Sequence, residues 1–262
     1  MTEFNNRAPA SWLGLEDHGI AVTGAAGGIG REVVHAFASA GARVAAIDVS
    51  IERTKAALEG VTAPERHIAT AVDLCDLASH DRVLRDAAAA FGRLDALVHL
   101  AAVLRRRATI DDVTEEDWDA QLTTNLKATF FLNRCAADLF REQGRGGRII
   151  NFASQGWWTG GFGGSVVYAA SKGGVVSMSR GLARALAPDG ITVNTVAPGA
   201  VDTKMMRSGQ TTTELAEFTK MIPLGRMAAP SELAGIVLFL ASRHSGYVTG
   251  ATINCSGGQL MY

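Results

Sequence analysis

The feature that most restricts what this chain can fold into is an alternation that runs almost to its end. Short apolar runs occur at 19–24 (GIAVTG), 43–48 (RVAAID), 67–73 (HIATAVD), 94–101 (LDALVHLA), 148–154 (RIINFAS), 191–197 (ITVNTVA) and 251–256 (ATINCS). Between them the pattern predicts helices from about Ile29 to Ala40, near 50–59, near 76–91, from Glu115 to Gln143, from Val166 to Leu186 and from Pro230 to Ser242. Thr114, with Asp117 three residues on, opens the fourth as a capping box does. Strand and helix repeated in this order imply parallel strands with helices on both faces. Runs that are apolar throughout fit strands buried on both sides. No repeat, low-complexity block or Pro/Gly/Ser linker divides the pattern. The expectation is therefore one doubly wound α/β domain over 15–262, preceded by an arm at 1–14. The long stretch outside the alternation, about 199–228, is expected to be a flap beside the site.

Charge and composition exclude several classes of function. Twenty-five basic residues face 26 acidic ones, so no net field draws the chain to nucleic acid or to an anionic membrane. No apolar run approaches the roughly 20 residues of a membrane-spanning helix. Small-molecule or protein partners are expected. Cys75, Cys135 and Cys255 are odd in number and far apart, which suits reduced thiols in a cytoplasmic protein rather than a disulfide frame or a zinc site. The start, MTEFNNRAPASW, lacks the basic and apolar regions of a signal peptide.

The stretch TGAAGGIG (23–30) falls where the first strand ends and the first helix begins. Gly24 permits the tight turn, Gly28 lets a pyrophosphate approach the backbone, and Gly30 lets the helix pack on the sheet. A helix N-terminus offers unpaired N–H groups and the positive end of its dipole to phosphate. Asp48 ends the second strand, 18 residues after Gly30, where a carboxylate accepts hydrogen bonds from both ribose hydroxyls of an adenosine. It would repel a 2′-phosphate, and Val49 supplies no compensating arginine. NAD is favoured over NADP.

Three spaced motifs, TGAAGGIG, YAASK (168–172) and VAPGAVDT (196–203), resemble those of the short-chain dehydrogenase/reductase family, and the likeness extends from about Gly19 to the carboxyl end. The resemblance implies a Rossmann fold with a seven-stranded parallel sheet flanked by helices, in a homodimer or homotetramer. It implies cofactor contacts from Gly24, Gly28, Ile29 and Gly30, from Asp73 and Leu74 beside the adenine, and from Leu100, Ala101 and Ala102. Pro198, Gly199, Val201 and Thr203 would hold the nicotinamide end. The catalytic set would be Asn125, Ser154, Tyr168 and Lys172, with Asn125 anchoring a water that relays protons by way of the lysine.

The chemistry of those residue types agrees. Tyr168 and Lys172 are four apart on an expected helix and share a face. A phenol with pKa about 10 becomes a useful base only if phenolate is favoured by roughly 4 kcal/mol, and an ammonium and an oxidised nicotinamide both act in that direction. Ser154, at a strand end, can hold the substrate oxygen toward Tyr168. Asn125 is a poor helix former unless its amide is needed. Together these predict an oxidoreductase that interconverts a secondary alcohol and a ketone. Its rivals are an NADPH-dependent 3-oxoacyl-carrier reductase, which Asp48 opposes, and a dinucleotide-binding sensor or scaffold without turnover.

One departure from the family stands out. After the fourth strand the family shows Asn-Asn-Ala-Gly, whereas this chain has His99, Leu100, Ala101 and Ala102. Leu100 brings no amide, so a hydrogen bond between central strands is lost or replaced. His99 is a ligand, a relay or a satisfied core residue. Arg105, Arg106 and Arg107 either meet an anionic substrate or occupy a solvated loop. Trp157, Trp158 and Phe162 wall an apolar substrate or serve a subunit contact. Met205 and Met206 suit an adaptable lid or fill a gap.

Overall fold

The computed structural model describes residues 12–161 and 163–262. Most of the expected arm and one of the three expected aromatic walls, Phe162, lie outside the described residues.

Seven strands form one parallel sheet: β1 (Gly19–Thr23), β2 (Arg43–Asp48), β3 (Ile68–Ala71), β4 (Ala96–His99), β5 (Gly147–Phe152), β6 (Ile191–Pro198) and β7 (Thr252–Cys255). Their order is β3-β2-β1-β4-β5-β6-β7. The chain winds outward from β1 to β3, then crosses back to β4 on the other side of β1. A crevice therefore opens at the carboxyl ends of β1 and β4, which is where doubly wound sheets bind ligands. Thr23 and His99 end these two strands in register.

The helices are α1 (Gly28–Ser39), α2 (Ile51–Ala57), α3 (Ser79–Phe91), α4 (Glu115–Leu122), α5 (Ala128–Gln143), α6 (Gly156–Thr159), α7 (Val166–Leu186), α8 (Lys204–Arg207), α9 (Thr212–Lys220) and α10 (Ala234–Ala241). Strand alternation divides the core into two layers. Ile20, Val22, Val44 and Val98 face Val33, Phe37, Val237 and Leu240 of α1 and α10. Ala21, Ile47, Leu97 and Ile149 face Leu84, Leu132, Phe140 and Ala183 of α3, α5 and α7. The central strands are thus covered twice, which is why their sequences show so little polar alternation, whereas the edge strands β3 and β7 are only partly buried. Among the described residues no helix is long and apolar enough to cross a membrane.

One expectation about a helix changes. The helix expected over Glu115–Gln143 is interrupted: residues Thr123–Lys127 form a π turn between α4 and α5. Its N-terminal capping box is present, with the Asp117 N–H donating to Thr114 Oγ1 at 3.1 Å and the Thr114 N–H to Asp117 Oδ2 at 3.2 Å. The stretch 199–228, expected to be a flap beside the site, contains α8 and α9. Its base is closed by a bridge between Val201 and Ala228, with the Asp202 N–H donating to the Ala228 carbonyl and the Ala228 N–H to that of Ala200, each at 2.9 Å.

Candidate active site

The glycine turn leaves β1 at Gly24, whose φ of +67° belongs to the left-handed region. A Cβ there would lie 2.7 Å from the Ala101 nitrogen. Gly30 fits for a steric reason, since a Cβ would collide with the Gly24 carbonyl oxygen. Gly28 opens the first turn of α1 facing Thr203, whose methyl would be 2.8 Å from an added Cβ. That opposes the turn to the start of α8 across a narrow crevice. Asp48 closes the outer side: Oδ2 accepts from the Ala26 N–H at 3.0 Å and Oδ1 from the Val49 N–H at 2.9 Å. Each carboxylate oxygen keeps a second lone pair for another donor.

The remaining expected cofactor residues line the same edge of the sheet. Asp73 follows β3 and accepts from the Cys75 N–H at 2.9 Å, while Leu74 beside it is buried. Leu100 donates its N–H to the Thr23 carbonyl at 3.2 Å and packs its side chain into the α1/α10 layer. Pro198 ends β6, and the Gly199 N–H reaches the Cys255 carbonyl at 3.0 Å. A glycine cradle, a helix N-terminus and a carboxylate at the end of β2 together fit an adenine dinucleotide.

Ser154 follows β5 by two residues, and α7 brings Tyr168 and Lys172 beside it. The Ser154 side chain lies close enough to the Tyr168 phenol to favour its ionised form, and its Oγ accepts from the Gly156 N–H at 3.2 Å. The Lys172 ammonium lies 5.7 Å from the centroid of the Tyr168 ring and donates to the Phe152 carbonyl at 2.8 Å. The three groups therefore share one region. Burial pushes the phenol up to about 12, against the pull of Ser154 and the Arg106 charge. Burial also brings the Lys172 ammonium down to about 8. The expectation of a phenol lowered by its neighbours meets a desolvation that acts the other way.

Asn125 is fully buried within the π turn. Its Oδ1 accepts from the Val103 N–H at 2.8 Å, and its Nδ2 donates to the Val103 carbonyl at 2.9 Å and to Ser171 Oγ at 3.1 Å. Ser171 Oγ in turn donates to the Tyr168 carbonyl at 2.7 Å. The amide thus ties the loop after β4 to the turn of α7 that carries Tyr168 and Lys172. A π turn inside a helix often marks such a site.

His99 resolves into a satisfied core residue that links two elements. Thr129 Oγ1 donates its one proton to the Asn125 carbonyl at 2.7 Å. It must therefore accept from His99 Nε2, 2.9 Å away. His99 Nδ1 is then the acceptor for Thr23 Oγ1 at 2.7 Å. Burial, reinforced by the charges of Lys172 and His80, pushes the imidazole down to about 3. It stays neutral and stitches β1 through β4 to the π turn, across the region where Leu100 offers no amide.

The three arginines separate. Arg107 forms a paired contact with Asp117 at 2.7 and 2.9 Å. Arg105 is exposed, and its N–H donates to Gln121 Oε1 at 3.1 Å. Arg106 Nη1 donates to the Ser208 carbonyl at 2.6 Å and, at 3.4 Å, to that of Met206. Trp157 packs near Val176 in the small cluster with Ala153 and Ala197 and under Arg180, two to three turns along α7 from Tyr168. Trp158 is exposed and stacks at a tilt on Tyr262. Met205 is exposed.

Gln155 is a neighbour of the site that the sequence does not single out. It is buried directly after Ser154, its N–H donates to the Pro198 carbonyl at 2.8 Å, and Nε2 donates to Gln259 Oε1 at 2.9 Å. The only signal for it in the sequence is its adjacency to Ser154.

A family model of the short-chain dehydrogenase type, described as Enoyl-(Acyl carrier protein) reductase, matches residues 24–259. This chain belongs to the short-chain dehydrogenase/reductase family. Among curated relatives, a 2-dehydro-3-deoxy-D-gluconate 5-dehydrogenase of Dickeya dadantii is 36% identical over 91% of this chain and 94% of its own. A galactitol 2-dehydrogenase of Agrobacterium fabrum is 36% identical over 92% and 96%. Among solved structures, levodione reductase superposes with a TM-score of 0.88 at 30% identity, covering 94% of this chain and 98% of that one. This short-chain dehydrogenase/reductase is therefore an oxidoreductase of CH–OH groups on small molecules, using a nicotinamide dinucleotide.

Proposed function

We propose that the chain is an NAD-dependent dehydrogenase of a secondary alcohol, or in reverse a ketone reductase, with Tyr168 as its acid and base. The observation that carries this reading is the Tyr168 phenol with the Lys172 ammonium 5.7 Å from its ring centroid and the Ser154 side chain acting on it, at the carboxyl end of the sheet. Bound in that crevice, the nicotinamide supplies or accepts the hydride. Ser154 orients the substrate oxygen toward the phenol. Tyr168 keeps its proton at neutral pH, being held up to about 12, and can deliver it to the oxygen of a ketone as that oxygen gains charge. In the opposite direction the phenol must lose a proton, and the positive charges of Lys172 and Arg106 stabilise the phenolate. Asn125 positions this pair through Ser171 and fixes the loop at Val103.

Asp48 supports NAD over NADP, since a carboxylate at the end of β2 would repel a 2′-phosphate. Exposed Trp118 on α4 and Phe130 on α5 support association through these helices as a homodimer or homotetramer. The test is Tyr168→Phe. Alcohol oxidation and ketone reduction should fall by at least about 100-fold while NADH still binds in a fluorescence titration. Near-normal turnover would refute the assignment.

A further inference from the structure

We propose that Arg106 receives an anionic group of the substrate, a carboxylate, so that the reacting alcohol or ketone belongs to a hydroxy or oxo acid; this rests on the dehydrogenase reading above. The loop that carries Arg106 is fixed on every side. Val103 is held by Asn125, the Arg105 N–H by Gln121, and the Arg107 side chain by Asp117. The Gly164 N–H donates to the Arg107 carbonyl at 3.2 Å, which sets this loop against the start of α7, one turn before Tyr168. Between these ties the half-buried Arg106 side chain crosses to the segment containing α8.

Its partners there are two neutral carbonyls, both reached by Nη1. Arg107, Arg207 and Arg226 have carboxylates, Asp117, Asp202 and Glu232 respectively, and Arg105, which has none, is exposed to solvent. Among the described residues no carboxylate lies within ion-pair distance of Arg106. Glu214 is near enough to act on its charge but is engaged with Thr211. The Nε and Nη2 protons have no hydrogen-bond acceptor among the described residues. A guanidinium edge of this kind matches both oxygens of a carboxylate. It also lies close enough to Tyr168 for its charge to favour phenolate. A half-buried cation without an opposing charge is unfavourable in the free protein, and an anionic substrate would supply that charge at the reacting centre.

The test is equilibrium binding by calorimetry to NADH-loaded protein, using probes that share a skeleton and differ in charge. D-gluconate is paired with D-sorbitol, and (R)-3-hydroxybutyrate with its methyl ester. Wild type should bind at least one acid about 10- to 100-fold more tightly than its neutral partner, the span expected for hydrogen bonds to a charged group. Arg106→Met should bring that ratio close to one, and Arg106→Lys should keep part of it. NADH titration shows that each variant is folded. If Arg106 only fastened the α8 segment, acid and neutral probes would weaken together and the ratio would survive. A surviving ratio, or no acid preference in wild type, overturns the inference. Turnover that persists without an effect on the ratio removes this inference alone. Acid binding that depends on Arg106, with no probe turned over, removes the dehydrogenase reading instead.

Discussion

Replacing His99 with glutamine should flatten the acid side of the stability profile. The imidazole is 3% exposed, saturated by Thr23 and Thr129, and brought down to about 3 in the folded chain. Unfolded, it titrates near 6.5. Between those values the unfolded chain holds a proton that the folded chain does not, so stability rises with pH across that window. The stabilisation is complete above about 6.5 and is lost as pH falls toward 3. At pH 5 the loss from this group is about 2 kcal/mol, from 1.36 kcal/mol per unit applied to the protonated fraction of the unfolded imidazole. Glutamine keeps a donor and an acceptor and does not titrate. Urea unfolding at pH 7.5 and pH 5, at one protein concentration, should show wild type losing about 2 kcal/mol more than His99→Gln. His80, also buried and shifted down, is present in both proteins. Equal losses would refute the reasoning, as would a His99 resonance titrating near pH 6.5 in the folded protein.

Four further outcomes are expected. Asp48→Ala should weaken NADH binding by about 10-fold or more and narrow the gap to NADPH, read by titrating both coenzymes. Gly30→Ala should abolish dinucleotide binding or folding, because its Cβ meets backbone; Gly28→Ala should stay folded by circular dichroism, since Thr203 can turn away, and bind NADH more weakly. Thr129→Val should cost about 1–3 kcal/mol in chemical unfolding, because it leaves the buried His99 Nε2–H without an acceptor.

The sheet and its edges were legible because apolar runs, glycine turn and strand-ending residues are local signals. Helix α7 spans Val166–Leu186, as the pattern predicts, and Ser154, Tyr168 and Lys172 come together as their spacing implies. The π turn at Asn125 was not legible: it is stabilised by Val103, Ser171 and the His99–Thr129 link, all distant in sequence or hidden in an ordinary helical pattern. The capping box of α9, Thr211 to Glu214, lay in plain view, but the segment around it lacked a periodic apolar face to draw attention to it. Arg105, Arg106 and Arg107 look alike as text, and only backbone direction gives each a different neighbour. Burial explains the remaining difference. A tyrosine beside a lysine suggests an acidified phenol, yet the surrounding protein removes the water that would stabilise its anion.

The closure at Val201 and Ala228 makes the intervening stretch a separable cassette. Its ends already meet on the sheet side, so the length of chain between Thr203, which stays opposite Gly28, and Leu224, whose N–H bonds the Gly257 carbonyl, could vary without moving β6 or β7.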